Sequence, residues 1–183
     1  MVKKVLAYLL FLGVTFPLSA AADDDTLARF KGGIGVIPVS SGVAVAPTLG
    51  TAPTVESVNR NIVRGVQPPG QIWLIDKLDA RVKLDGHIRV KGKGLILGGG
   101  NNAGRATGQF VFATLICEAA APFTERSTNP VGVQLAPNGD FDINDTLAPM
   151  PPSSCDSPML LIRNAAGLAW FAAGIPSSGK DDD

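Results

Sequence analysis

Residues able to do chemistry are few in this chain. His87 is the sole histidine, so a zinc or copper centre built from several histidines has no ligand set. A Ser-His-Asp triad would have to recruit His87 from a turn, with no G-x-S-x-G elbow to supply the nucleophile. His87 therefore reads as an ordinary exposed turn residue. Carboxylates are harder to dismiss, because a hydrolytic pair needs only two acids brought together by the fold. Downstream of the leader described below, the glutamates are Glu56, Glu118 and Glu125. Glu118, directly after Cys117 and a long apolar run, is the acid to inspect first, and its plainer reading is a solvated strand-end group. Asp140, Asp142, Asn144 and Asp145 faintly resemble a calcium loop, but Asp145 stands where that loop needs Gly and Pro151 where it needs Glu. Alternation explains these acids better, with Phe141 and Ile143 facing inward and Asp140, Asp142 and Asn144 facing water. No metal and no cofactor is expected.

Two further features draw attention. Gly98-Gly99-Gly100-Asn101-Asn102-Ala103-Gly104 looks superficially like a phosphate-binding loop. It matches neither glycine-rich fingerprint, and no amphipathic helix follows to hold an anion at its N-terminus. It reads as a flexible connection whose rim could line a site. The other feature is a row of bases: Lys77, Arg81, Lys83, Arg89, Lys91 and Lys93, offset by Asp79 alone. A three-residue loop, Asp85 to His87, places Leu84 opposite Ile88 and Val82 opposite Val90, which sets Lys83 against Arg89 and Arg81 against Lys91. Like charges directly opposite destabilise a sheet. Either the register differs, or that face meets an anionic partner such as a polysaccharide, a lipid headgroup or a nucleic acid. A solvated face of splayed side chains is the competing reading.

The elements that would position these groups read as strands. From Gln71 to Leu84, apolar Ile72, Leu74, Leu78, Ala80, Val82 and Leu84 alternate with polar or charged positions over much of the run. Earlier candidates are Ala28–Val39 and Asn59–Val66, joined by a loose Ser40–Ser57 connection. A Pro137-Asn138-Gly139 loop pairs Leu135 with Phe141 and Val133 with Ile143. Ala165-Ala166-Gly167 similarly joins Met159–Arg163 to Leu168–Ala173, with Ile162 opposite Trp170. These last two strands and Phe110–Cys117 are apolar on both faces, as in strands covered on two sides. The expected fold is all-β, an antiparallel sandwich or barrel-like domain. Trp73 and Trp170 lie in apolar runs and read as packing residues rather than sugar platforms.

Lys3 and Lys4, an apolar run from Val5 to Phe16 and the small residues Ser19 to Ala22 have the layout of a secretory signal peptide, 1–22. The run is too short to span a bilayer as a helix. The expected organisation is then 23–58 as N-terminal strand and connection, 59–176 as the β-domain and 177–183 as an acidic tail. Cys117 and Cys155 are the only cysteines, and in an exported chain two cysteines imply one disulfide. Closing that loop stabilises by roughly 3.5–4 kcal/mol on the chain-entropy account. Removing Lys3 and Lys4 leaves 14 basic residues against 16 acidic ones in the 183-residue sequence. That balance disfavours a generally basic nucleic-acid binder, though not a local basic face.

The segments Gly32-Gly33-Ile34-Gly35-Val36, Arg60-Asn61-Ile62-Val63-Arg64-Gly65-Val66, Asn138-Gly139-Asp140-Phe141 and Ala169-Trp170-Phe171-Ala172-Ala173-Gly174-Ile175-Pro176 resemble those of a group of small exported bacterial proteins of uncharacterised role. Gly98-Gly99-Gly100-Asn101 adds to the likeness, which implies export and one compact unit and brings no activity. The sequence thus points to a secreted or periplasmic, non-catalytic binding or envelope-associated protein with no membrane span after the leader. One alternative is an anion-binding module using the basic face, whose partner would be an anionic envelope or extracellular polymer. A carboxylate hydrolase around Glu118 stays open as the other.

Overall fold

The computed structural model describes residues 25–41 and 58–177. The expected leader, residues 42–57 with Glu56, and the tail from 178 onward lie outside the described residues. The described chain forms strands and turns without a helix, so none is long and apolar enough to cross a membrane. In chain order the strands are β1 (Thr26–Gly35), β2 (Val39–Ser41), β3 (Val58–Arg60), β4 (Trp73–Leu74), β5 (Lys77–Lys83), β6 (His87–Lys93) and β7 (Ile96–Leu97). The second half adds β8 (Phe110–Ile116), β9 (Arg126–Ser127), β10 (Val133–Gln134), β11 (Phe141–Thr146), β12 (Met159–Asn164) and β13 (Trp170–Pro176).

Nine of these strands make one antiparallel sheet in the order β10-β8-β12-β13-β1-β5-β6-β11, with β9 also on β8. The fold is thus all-β, as expected, and the sheet nearly closes into a barrel. Its two ends meet where Ser127 and Ala148 exchange backbone hydrogen bonds, both 2.9 Å. β1 lies between β13 and β5, so the first strand is central to the sheet. Alternation along β5 and β6 puts Ala80, Val82, Ile88 and Val90 inside and charged residues outside. Phe30, Val82, Ile88, Leu115 and Ile162 are fully buried, each contributing about 1.5–3 kcal/mol relative to exposure. Gly92 makes room for this packing. A Cβ on it would lie 2.0 Å from Cε1 of Phe141, the residue opposite it on β11.

β8 and β12 are buried on both faces, from Val111 to Ile116 and from Leu160 to Asn164, as their two-sided apolar character implies. The segment after β8 wraps the outer face: the Thr114 and Ser127 hydroxyls are 2.8 Å apart, and Thr128 Oγ1 accepts from the Ala113 amide at 3.0 Å. Cys117 and Cys155 form the expected disulfide, with Cα atoms 4.7 Å apart, tying the end of β8 to the approach to β12. The Arg64 guanidinium seals the same corner by donating to the carbonyls of Ile116 (2.9 Å) and Ser157 (2.6 Å).

Several local expectations are corrected. The β5–β6 loop is Leu84-Asp85-Gly86, one residue earlier than expected, and the register pairs Val82 with Ile88 and Ala80 with Val90. Gly86 has φ +82° and its amide donates to Lys83 O at 3.0 Å. A side-chain-bearing residue is strained in that conformation, so the loop settles where its last residue is Gly. The register moves by two, which preserves the hydrophobic phase and leaves Leu84 45% exposed. The expected Gln71–Leu84 strand breaks at Ile75-Asp76. β4 pairs with β7 rather than continuing into β5, and the alternation flips, with Trp73 buried and Ile72 and Leu74 exposed. Burying Trp73 brings its ring onto Phe171, with centroids 4.0 Å apart and planes at 12°.

Asn59–Val66 is not one strand, because the chain reverses at Arg64-Gly65 to bridge Val63 with Val66. The Pro137–Gly139 turn forms, with Gly139 N donating to Ala136 O at 2.8 Å, but it opens no hairpin ladder. β10 pairs with β8 and β11 with β6, so Val133 faces Val111 instead of Ile143. At the last hairpin a bulge sets Arg163, not Ile162, opposite Trp170. Side chains hold that wider turn open: Arg163 Nε donates to Leu168 O at 2.9 Å, and Asn164 Oδ1 accepts from the Gly167 amide at 2.6 Å.

Candidate functional site

The six expected cations, Lys77, Arg81, Lys83, Arg89, Lys91 and Lys93, all project from the outer face of the β5–β6 ladder. Their cross-strand partners differ from expectation. Lys77 faces Lys93, Asp79 faces Lys91 and Arg81 faces Arg89, so Lys83 no longer opposes Arg89. β1 adds residues that sequence reasoning missed, because Arg29 lies opposite Arg81 and Lys31 opposite Asp79. On the other flank β11 sets Asn144 against Arg89 and Asp142 against Lys91.

Two rows therefore cross four strands. Lys31, Asp79, Lys91 and Asp142 alternate in sign and compensate one another. Arg29, Arg81, Arg89 and Asn144 carry three positive charges and no negative one. Acids reach in from the margin: Asp25 pairs with Lys83 at 2.7 Å and with Arg81 at 3.2 Å, and Asp142 reaches Arg89 at 3.4 Å. These pairs are half-exposed, a setting in which each contributes about 0–1 kcal/mol. With Lys77, Lys83 and Lys93 beside the two rows, eight cations and the acids Asp25, Asp79 and Asp142 meet on this face among the described residues. The missed pair had a weak signal, since Ala28 and Phe30 are buried while Arg29 and Lys31 take the alternate positions. What no local pattern could show was that β1 docks beside β5.

Glu118 accepts two hydrogen bonds from the Arg126 guanidinium, 2.8 and 3.3 Å, and one from the Thr124 amide at 3.2 Å. The Arg126 hydrogen bonds lower its pKa to about 2, against a smaller opposing effect of burial. Glu125 pairs separately with Arg163, whose side chain is 7% exposed and lies over the Phe112 ring. The two acids are thus held by different arginines. Glu125 and Asp145 line a cavity of about 480 Å³, where Asp145 accepts from the Asn129 and Thr146 amides at 2.8 Å each. An acid held at about 2 by an arginine is a poor proton donor near neutrality.

The suggested calcium residues scatter. Asp142 and Asn144 point outward, Asp140 accepts from the Gly94 amide at 3.1 Å and Asp145 is engaged elsewhere. Among the described residues no three His, Cys, Asp or Glu side chains converge to hold a metal. His87, expected as an exposed turn residue, is instead the half-buried first residue of β6, where its amide donates to Asp85 Oδ1 at 2.9 Å. Both tryptophans pack inside, Trp170 donating through Nε1 to Asn61 O at 3.0 Å. The Gly98–Gly104 stretch is a tight reversal fixed by Leu97 and Arg105, with Leu97 N donating to Arg105 O at 3.0 Å. Its far side borders a cavity of about 800 Å³ lined by Asn102, Arg105, Thr107, Gln134 and Asp140.

No protein family, curated protein or solved structure matches this chain. The disulfide is consistent with an oxidising environment, extracellular or periplasmic.

Proposed function

We propose that this chain is an exported, non-catalytic binding protein that holds an acidic polysaccharide of the cell envelope or extracellular space on the outer face of β1, β5, β6 and β11. The observation that carries this reading is the row Arg29-Arg81-Arg89, three guanidinium groups in cross-strand register. Like charges brought into register repel one another, and a polyanion laid across them adds attraction. Neighbouring strands are about 4.8 Å apart, a step close to one sugar unit. Guanidinium forks suit carboxylate and sulfate groups. The outward strand positions of this face carry no Phe, Tyr or Trp ring on which nucleic-acid bases would stack. Export rests on the leader-like residues 1–22 and agrees with the disulfide.

The hydrolase reading has less support, because Glu118 and Glu125 are each spent on an arginine. Chromatography on immobilised heparin, with elution by a salt gradient, tests the proposal. The native protein is retained and released by salt, and a variant with Arg81, Lys83, Arg89 and Lys91 all changed to Gln flows through. Absence of salt-sensitive retention by the native protein would sink the proposal. Preference for anionic vesicles or single-stranded DNA over acidic polysaccharide would replace it.

A further inference from the structure

A second surface of the barrel carries its own recognition chemistry. The cavity of about 800 Å³ beside the Gly98–Gly104 reversal shares Asn102 and Thr107 with a neighbouring cavity of about 510 Å³, which Gln71, Gln109 and Asn164 also line. Volumes in this range accommodate a small organic ligand. Five side-chain amides, those of Gln71, Asn102, Gln109, Gln134 and Asn164, stand in the two linings among apolar residues such as Leu97, Leu135 and Phe171. Among the described residues, no hydrogen bond or ion pair uses the side chains of Gln71, Asn102, Arg105, Thr107 or Gln134.

Other parts of the lining are fixed. Asn164, 6% exposed, donates to Gln109 Oε1 and accepts from the Gly167 amide. That pairing leaves the Gln109 NH₂ group as a donor. Asp140 is anchored by the Gly94 amide through one oxygen, and its other oxygen remains an acceptor. Thr107, on the wall between the two cavities, has φ +53°. A β-branched residue there is a backbone outlier of the kind that collects at binding sites.

We infer that these neighbouring cavities form a binding site for an acidic monosaccharide unit, a hexuronic acid. Amides that both donate and accept match hydroxyl groups that do the same. The single guanidinium of Arg105 matches one carboxylate. Asp140 on the same wall accepts a hydroxyl and repels a carboxylate, so the sugar's acidic end is directed to Arg105. The site does not depend on the polyanion reading of the β1-β5-β6-β11 face.

The test is a titration of isotope-labelled protein with glucuronic acid, glucose, acetate and inorganic phosphate, followed by NMR. Glucuronic acid shifts the amide signals of Asn102 to Gln109 with millimolar affinity, and glucose and acetate each bind about tenfold more weakly. Arg105→Gln removes the preference for glucuronic acid over glucose, and Asn102→Ala weakens both sugars. Both residues are exposed, and an unchanged circular-dichroism spectrum verifies each fold. Equal binding of acetate or phosphate would show that Arg105 is only an anion site and would overturn the sugar assignment. So would no response to glucuronic acid, or an undiminished preference in Arg105→Gln. The quadruple Gln variant of the basic face keeps its glucuronic acid response, which separates failure of this site from failure of the polymer-binding face.

Discussion

Arg81 of β5 lies directly opposite Arg89 of β6, with Arg29 of β1 on its other side. Opposed like charges destabilise a sheet by a few tenths of a kcal/mol up to about 1. The Arg89–Asp142 pair, at 3.4 Å and half-exposed, offsets little of that. Arg89→Gln is therefore expected to leave stability unchanged or raise it by about 0.5 kcal/mol at low salt. The gain shrinks as salt screens the row. Urea unfolding at low and high ionic strength measures this, with heparin retention recorded on the same variant. A loss of more than about 1 kcal/mol would mean the row is structural glue, and the polyanion proposal would lose its footing.

Gly92 and Phe141 make a second pair, because the ring occupies the space a Cβ at Gly92 would need. Gly92→Ala is expected to cost about 1–3 kcal/mol by overpacking. Phe141→Leu alone costs about 1 kcal/mol through lost burial. Combined, the two changes cost less than their sum, since the smaller side chain vacates the clash. A double-mutant cycle by urea denaturation reads this coupling. Strict additivity would show that the ring moves aside freely.

Turn chemistry and alternation made the β5–β6 face legible, because both are local. The register of that hairpin was misread by two residues, since the expected Asp85–His87 loop gave Gly86 the middle place when its positive φ suits the last. Breaks that depend on distant partners could not be read. Trp73 leaves the β5 ladder for a stack on Phe171, nearly a hundred positions along the chain, and the bulge at Arg163 fits a guanidinium engaged by Glu125 and Leu168. Arg29 and Lys31 joined the basic face only because β1 docks beside β5. Glu118, read as either a hydrolytic or a solvated acid, is instead held by Arg126, whose basic side chain gave no sequence sign of facing it.

The disulfide gives a larger effect. Removing the cross-link by Cys117→Ala with Cys155→Ala is expected to cost at most about 4 kcal/mol on the chain-entropy account. For a chain of this size each kcal/mol corresponds to about 2–4 °C, so the melting temperature falls by up to about 8–16 °C. Calorimetry of the native protein with and without reductant checks the same quantity. If reduction moved the transition by less than a degree, the Arg64 bonds to Ile116 and Ser157 would be holding that corner unaided.

Acid should unfasten the Glu118–Arg126 contact. Its folded pKa of about 2 lies below the ordinary carboxylate value of 4.5. The resulting stability is fully present above about pH 4.5 and is lost as pH falls toward 2. With Glu118 28% exposed, solvent screening reduces its worth to about 1–2 kcal/mol. Glu118→Gln should lower stability by that amount at pH 7 and by almost nothing at pH 2. Parallel urea curves across this range provide the check, and an equal deficit at both ends would assign the effect to packing.

Asp25 restrains the basic face from within the chain. Its carboxylate reaches both Lys83 and Arg81, at 2.7 and 3.2 Å, and so occupies the two cations at one end of the row. A polyanion must displace it or bind around it. Asp25→Asn removes one negative charge from the face and weakens that internal competition. Heparin retention of this variant should extend to higher salt, with urea stability lower by no more than about 1 kcal/mol. Earlier elution would show that Asp25 orients Lys83 and Arg81 for the ligand, and the competition argument would fail while the basic face stood. Unchanged elution would place the bound polymer toward Lys77 and Lys93, at the opposite end of the ladder.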